Sequence, residues 1–383
     1  MPGDGHRLPP PVGPKYTRPV PYRVIDFTRV LAGPWATQTL GDQGFDVVKI
    51  ESLDGDETRG FHPLVNGESV YFACTNRNKR SVAIDLRQAE GRDLARTLIA
   101  SADVVVENFR PGVMERLGLG YDAVATERTI WVSISAFGPH DPGAGYDLVL
   151  QSVGGIAALT ANPPRKAGPS IADLASAQVA VQGVLFALLE RERTGRGKRV
   201  DVRMIDVQHS LLAYYASAWL NAGQAPAPPS NAHPSIAPYN LYQCRDGWLA
   251  ICCANQALWE KLRVALSLPQ LAEWATLSSR VANRDSLDRA ITAVLEHQDV
   301  ATWERQLSAA GVPVGGVLSV AASLAHPRSK KIEVGSWTFP APPLPSMASR
   351  PPPALGQHTA EILAEIGVDP ATMAQLARSS VIG

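Results

Sequence analysis

From Arg23 to Arg203, short β-rich runs alternate with stretches of helical period, and this alternation constrains the fold more than anything else in the chain. Arg23–Phe27 (RVIDF) reads as a buried strand. TRVLAGPWATQTLGDQG follows it with apolar residues at helical spacing and closes on Gly44. Phe45–Ile50 (FDVVKI), SVAIDL, Ala102–Glu107 (ADVVVE) and part of TIWVSISAFG supply four more strands, with the helix EGRDLARTLIASA among them. Gly168–Leu189 reads as one long helical stretch ended by TGRGKR, and RVDVRM opens a further strand followed by a helix. Apolar strands separated by helices predict βαβ units and a parallel sheet covered on both faces.

The chain has 383 residues, more than one core usually organises, so two domains are expected. The Pro-rich run NAGQAPAPPSNAHPSIAP marks a boundary. After it come a strand pair (YNLYQCRDGWLAICC, turn at Arg245–Gly247) and then helices. Pro340–Pro353 is irregular, and TAEILAEIG reads as a helix near the end. Residues 1 to about 20 are dense in Pro and Gly and predict an extended arm.

Several function classes are disfavoured by what the sequence lacks. Lys plus Arg and Asp plus Glu both total 36, so no net charge draws the chain to nucleic acid or an anionic membrane. No apolar h-region opens the sequence and no eighteen apolar residues run together, so a cytoplasmic protein is expected. Cys74, Cys244, Cys252 and Cys253 lack zinc spacing and read as free thiols in a reducing compartment. No G-x-G-x-x-G follows the first strand, and no phosphate loop, G-x-S-x-G elbow or H-E-x-x-H is present. A bound nicotinamide or flavin, a serine nucleophile and a metal site are therefore not expected.

Asp173 stands at the start of the long helical stretch, in GPSIADLASAQVAVQGVLFALLE. A first-turn aspartate ordinarily satisfies helix N–H groups. A carboxylate at a helix start in an apolar cleft can instead attack an activated acyl carbon. The local sequence leaves both readings open.

DFTRVLAGPWATQTLGDQGFDVVKIE, NRNKRSVAIDLRQAEG, ADVVVENFRPGVMERLGLGYD, VSISAFG and TGRGKRVDVRM together resemble the family III CoA-transferases. The resemblance continues through HPSIAPYNLYQCRDGWLAI, GVPVGGV and LGQHTAEIL; the N-terminal arm and the stretch around Pro340 fall outside it. It implies a large Rossmann-like α/β domain with a parallel sheet over residues 23–222 and 335–383, a smaller α/β domain over 225–330, and an arm over 1–22. It also implies an interlocked homodimer. In the family the nucleophile is an aspartate twenty-one residues before the Thr of T-G-R-G, and here that counts back from Thr194 to Asp173. CoA and acyl-CoA enter as substrates, with no tightly bound cofactor. The resemblance places CoA contacts at Leu31, Ala32, Ile84, Arg87, Asn108, Phe109, Arg116 and Tyr146. Arg77, Lys79 and Arg80 form a second basic cluster that invites the nucleotide's phosphates.

The same fold hosts α-methylacyl-CoA racemases, which use a His directly before an Asp. Here Tyr146 precedes Asp147, and a phenol is a weak base at neutral pH, so transfer is favoured over α-proton exchange. A scaffold that merely binds CoA is a third reading, disfavoured by an intact Asp173 motif. The oxalate-handling members present a glutamine where this chain has Leu31, whose apolar side chain cannot hydrogen-bond a second carboxylate. A larger or more apolar acid is expected instead. His233 and Tyr239 in HPSIAPYN are candidate acyl contacts.

Overall fold

The computed structural model describes residues 22–226 and 230–383. The N-terminal arm read over residues 1–22 lies outside the described residues except for Tyr22, as do residues 227–229 of the Pro-rich break.

Six parallel strands form the main sheet: β1 Arg23–Asp26, β2 Asp46–Glu51, β3 Lys79–Ala83, β4 Val104–Glu107, β5 Ile130–Ser135 and β6 Arg199–Arg203. Their order is β3-β2-β1-β4-β5-β6, with every neighbouring pair parallel. The α/β class read from the alternating pattern is the one observed. Strand order reverses between β1 and β4, and the crevice beyond their carboxyl ends is where open α/β sheets bind ligands. The middle strands are largely apolar because both faces are covered, with Asp26, Lys49 and Glu107 among the buried exceptions. Val24, Val104 and Val132 face one core, while Ile25, Val48 and Val105 face the other.

Five helices position the site: α1 Ala32–Asp42, α2 Val70–Asn76, α3 Ala89–Ala100, α4 Asp147–Val153 and α5 Ile171–Thr194. α1 and α5 cover the first core, while α3 and the C-terminal residues Ile362, Leu363 and Leu376 cover the second. The buried residues of α5, among them Ala172, Ala177, Ala180 and Ala187, recur every three or four positions, and their small side chains let α5 lie close on the sheet. α5 runs five residues past the predicted end at Leu189 and stops where Gly195 takes φ +75°. Among the described residues it is the one helix long and apolar enough to cross a membrane, with a mean hydropathy of 1.6, and here its alanine stripe packs in the core.

A separate apolar core gathers Tyr242, Trp259, Trp274, Leu287, Ile291 and Trp303. It is built on an antiparallel sheet of β7 Tyr239–Gln243, β8 Trp248–Cys252 and β9 Val314–Gly316, in the order β9-β8-β7. A hairpin of β10 Lys331–Val334 and β11 Trp337–Pro340 rests on Ala73 of α2. The tail carries Thr359–Glu365 and a further helix, Pro370–Arg378, that was not read from the sequence. Asp369 caps it by accepting from the N–H groups of Ala371 and Thr372, with Pro370 in its first turn.

Candidate active site

The segment joining β1 to α1 is shaped by a buried charge cluster. Asp26 is fully buried and accepts at Oδ1 from Thr28 N (2.9 Å) and Thr28 Oγ1 (2.5 Å), and at Oδ2 from Thr37 Oγ1 (2.7 Å) and Lys79 Nζ (3.0 Å). Lys49 Nζ donates to Thr28 O (2.7 Å), and Lys79 Nζ donates to Pro34 O (3.0 Å). The chain folds back so tightly that a Cβ on Gly33 would lie 2.3 Å from Thr28 Cβ, so only glycine fits there. Between these anchors Val30 takes φ +66°, a left-handed conformation that a β-branched side chain disfavours. Leu31 then opens α1 without any side-chain cap.

Beyond β4, Asn108 answers this turn from the other side of the switch point. Its Oδ1 accepts from Arg29 N (2.9 Å), and its Nδ2 donates to Arg29 O (2.8 Å). The Arg29 guanidinium lies 5.1 Å from the Phe109 ring centroid, a cation–π distance.

A cleft of about 290 Å³ opens at this point. Its lining brings together Leu31, Ala32, Asn108, Phe109, Tyr146 and Asp173, residues drawn from four separate parts of the chain. Ile84, Arg87 and Arg116 are not among them. Ile84 is fully buried and bridged to Ile382, and Arg87 turns outward to pair with its neighbour Asp85 at 2.8 Å. Arg116 is exposed on the short helix Val113–Arg116. Two exposed cations that the sequence reading passed over, Arg29 and Arg110, do line the cleft, and neither is ion-paired among the described residues. Their signal was adjacency to motif residues, for Arg110 directly follows Asn108–Phe109.

Asp173 occupies the first turn of α5, but it does not cap the helix. The role of holding that terminus falls to Asp147 at the start of α4, which accepts from Ala172 N (2.9 Å) and from Gln151 Nε2 (2.7 Å). Asp173 itself has no hydrogen-bond or ion-pair partner among the described residues. Burial pushes its carboxyl up to about 7, and the Asp147 charge adds to the shift. Tyr71 on α2, another group the sequence reading missed, is pushed up to about 12 by burial and then by the charge of Asp173. A partly buried carboxylate facing a cleft, with no hydrogen-bond or ion-pair partner among the described residues, is the pattern of a candidate functional group.

The second basic cluster is not available for phosphates. Arg77 pairs with Asp42; Lys79 is held by Asp26, Asn76 and Pro34; Arg80 binds Asp46, Glu361 and Glu365. The side chains of all three are nine-tenths buried or more, because carboxylates from distant segments converge on them. His233 and Tyr239 also stay out of the cleft. The His233 ring sits between those of Tyr214 and Tyr239, at 5.5 and 5.3 Å.

The fold and cleft together define a doubly wound α/β protein with a carboxylate facing the cleft at the sheet's switch point. The model of CoA-transferase family III matches residues 21–359, and the chain belongs to that family. It is 37% identical to the acetyl-CoA:oxalate CoA-transferase of Acetobacter aceti over 84% of this chain and 87% of the relative. It is 34% identical to the succinate–glutarate CoA-transferase of Agrobacterium fabrum over 90% of this chain and 94% of the relative. Among solved structures, a CaiB/BaiF family protein from Brucella suis superposes with a TM-score of 0.82 at 36% identity, covering 91% of this chain and 98% of that one. The chain is a CoA-transferase, as its motifs implied.

Proposed function

We propose that the enzyme moves CoA between carboxylic acids through an aspartyl-CoA thioester on Asp173. The observation that carries this reading is the cleft-lining carboxylate with no partner among the described residues, its pKa raised to about 7. With its pKa near neutrality a substantial fraction of the group is ionised at pH 7, and the ionised form, poorly solvated, is a competent nucleophile.

An Asp173 oxygen attacks the donor's thioester carbonyl; the C–S bond breaks, giving a mixed anhydride and a CoA thiolate. The thiolate attacks the Asp173 carbonyl of that anhydride, releasing the donor as a free carboxylate and leaving CoA on Asp173. The acceptor carboxylate then attacks the aspartyl thioester, forming a second anhydride and freeing the thiolate. Attack of the thiolate on the acceptor's carbonyl yields the new acyl-CoA and restores Asp173. No proton changes hands overall. In this reading the N–H groups of Leu31 and Ala32, at the start of α1 that no side chain caps, receive the carbonyl oxygen as it gains charge. Arg29 and Arg110 at the cleft serve the CoA phosphates.

With an acyl-CoA and no acceptor, hydroxylamine or borohydride trapping followed by peptide mass analysis should mark Asp173, and Asp173→Ala should abolish turnover. Wild-type turnover in Asp173→Ala, or α-proton exchange without an acceptor acid, overturns the reading. Leu31 at the cleft favours glutarate or a more apolar acid over oxalate, so an acceptor panel should rank oxalate low.

We also propose a homodimer. Phe186 and Leu189 on α5, Leu148 and Val153 on α4, and Trp219 and Leu220 are all more than half exposed, which suits burial against a second copy. Light scattering that gives a monomer refutes this.

A further inference from the structure

The turn that forms one wall of the cleft is held out of its relaxed shape by identifiable groups. Val30 sits at φ +66°. A valine there relaxes to negative φ unless its neighbours over-determine the backbone. Upstream, Asp26 and Lys49 grip the N–H and carbonyl of Thr28 at 2.9 and 2.7 Å. Downstream, Lys79 grips the carbonyl of Pro34 at 3.0 Å. These anchors lie two residues before Val30 and four after it, which leaves the peptide groups on either side of it unheld. Asn108 closes that gap, because both of its amide functions are committed to the N–H and carbonyl of Arg29, the residue directly before Val30.

From this geometry, and resting on the reading of Asp173 as nucleophile, we infer that Asn108 is a positioning residue. Its side chain clamps Arg29 so that Val30 is forced into the left-handed region, which fixes the N–H groups of Leu31 and Ala32 relative to Asp173. Its first task is the backbone rather than CoA: of the amide's two N–H donors and two acceptor lone pairs, one of each is committed to Arg29, which fixes the orientation of the side chain. If the clamp is lost, the turn swings toward negative φ, and the oxyanion donors leave the position that transition-state stabilisation requires. The effect falls on the chemical step rather than on CoA binding.

The test is a double-mutant cycle of Asn108→Ala with Val30→Gly on the full-length enzyme, reading kcat, KM for acyl-CoA and thermal unfolding. Glycine adopts positive φ without strain, so a turn carrying Val30→Gly no longer depends on the clamp. Asn108→Ala alone should lower kcat about tenfold to a hundredfold, with KM for acyl-CoA changed by less than about threefold. In the Val30→Gly background the same Asn108→Ala change should lower kcat by no more than about threefold. A rise in KM at unchanged kcat, or an Asn108→Ala effect of equal size in both backgrounds, overturns the inference and makes Asn108 an ordinary ligand contact. Thermal unfolding separates a kinetic effect from lost fold, for the coupling is scored only between variants that melt with wild-type cooperativity. Should Asn108→Ala fail that criterion, Asn108→Asp takes its place in the cycle. It keeps the acceptor for Arg29 N and loses the donor to Arg29 O, so it should give a smaller loss of kcat that Val30→Gly again suppresses. If wild-type enzyme forms no adduct on Asp173, the proposed function fails instead, and the two failures are told apart.

Discussion

Asp26 holds the base of the turn at Thr28, and Asp173 shares the cleft with Val30, Leu31 and Ala32 of the same turn; both are withdrawn from water, yet their surroundings are opposite. Burial alone would push the Asp26 carboxyl up, but Lys79, Lys49 and the hydroxyls of Thr28 and Thr37 outweigh it and hold it below the usual carboxylate range. At Asp173 nothing opposes burial, and the Asp147 charge pushes in the same direction. One aspartate is a scaffold because each of its oxygens is occupied. The other is available for chemistry because neither is. Asp26 is the deeper of the two, yet its carboxyl is held down and that of Asp173 is raised, so the partner list outweighs depth in setting the difference.

The sharpest way to break this comparison is to unpair Asp26. Lys79→Met removes a fully buried ammonium and leaves a fully buried carboxylate short of its strongest partner. Losses of this kind run to about 3–5 kcal/mol. Urea denaturation should show that loss, with turnover falling alongside it as the turn above Asp26 loosens. A change under about 1 kcal/mol would mean that the cluster is not what holds the turn.

A smaller effect compares arginines that line the cleft with one that does not. Arg29→Ala and Arg110→Ala should each raise KM for acyl-CoA about tenfold, the value of one charge-assisted contact, with the free acid's KM little changed. Arg87→Ala should stay within about twofold, because the Arg87 side chain is 82% exposed and already turned to Asp85. An Arg87→Ala defect as large as that of Arg110→Ala would show that the nucleotide lies across the β3 end of the sheet instead.

These cases also mark how far the sequence could be read. The strands and the sheet class were legible because apolar runs such as Val104–Val106 admit little else, while Asp173 was singled out only by the family resemblance, and it lies at the cleft. The basic run at residues 77–80 was misread because a sequence shows charge but not pairing. Arg80 meets Glu361 and Glu365, which lie 281 and 285 residues away, and Lys79 meets Asp26 at a separation of 53. The left-handed Val30 left no trace, since a β-branched residue is the last type such a position suggests, and the strain comes from contacts across the switch point. By contrast, the missed helix Pro370–Arg378 did carry its signal, an Asp–Pro start followed by an amphipathic run.

The finest effect concerns the pH dependence of stability, and its sign follows from the raised carboxyl. In the unfolded chain Asp173 ionises near 3.8, while in the folded enzyme it does so near 7. Between those values the folded state holds a proton that the unfolded state has released, so folding is progressively weakened as pH rises through the window, and the full penalty stands above pH 7. Asp173→Asn cannot ionise and escapes that penalty. The variant should therefore melt a few degrees above wild type at pH 8 and level with it near pH 4. Asp147→Asn removes the like charge but leaves the burial that dominates the shift. It should move the acid limb of wild-type kcat/KM to lower pH by less than the whole displacement, partly offset by a weaker hold on Ala172 N. Equal melting of wild type and Asp173→Asn at both pH values would mean that the carboxylate is solvated in the resting enzyme, and the contrast with Asp26 would lose its physical basis.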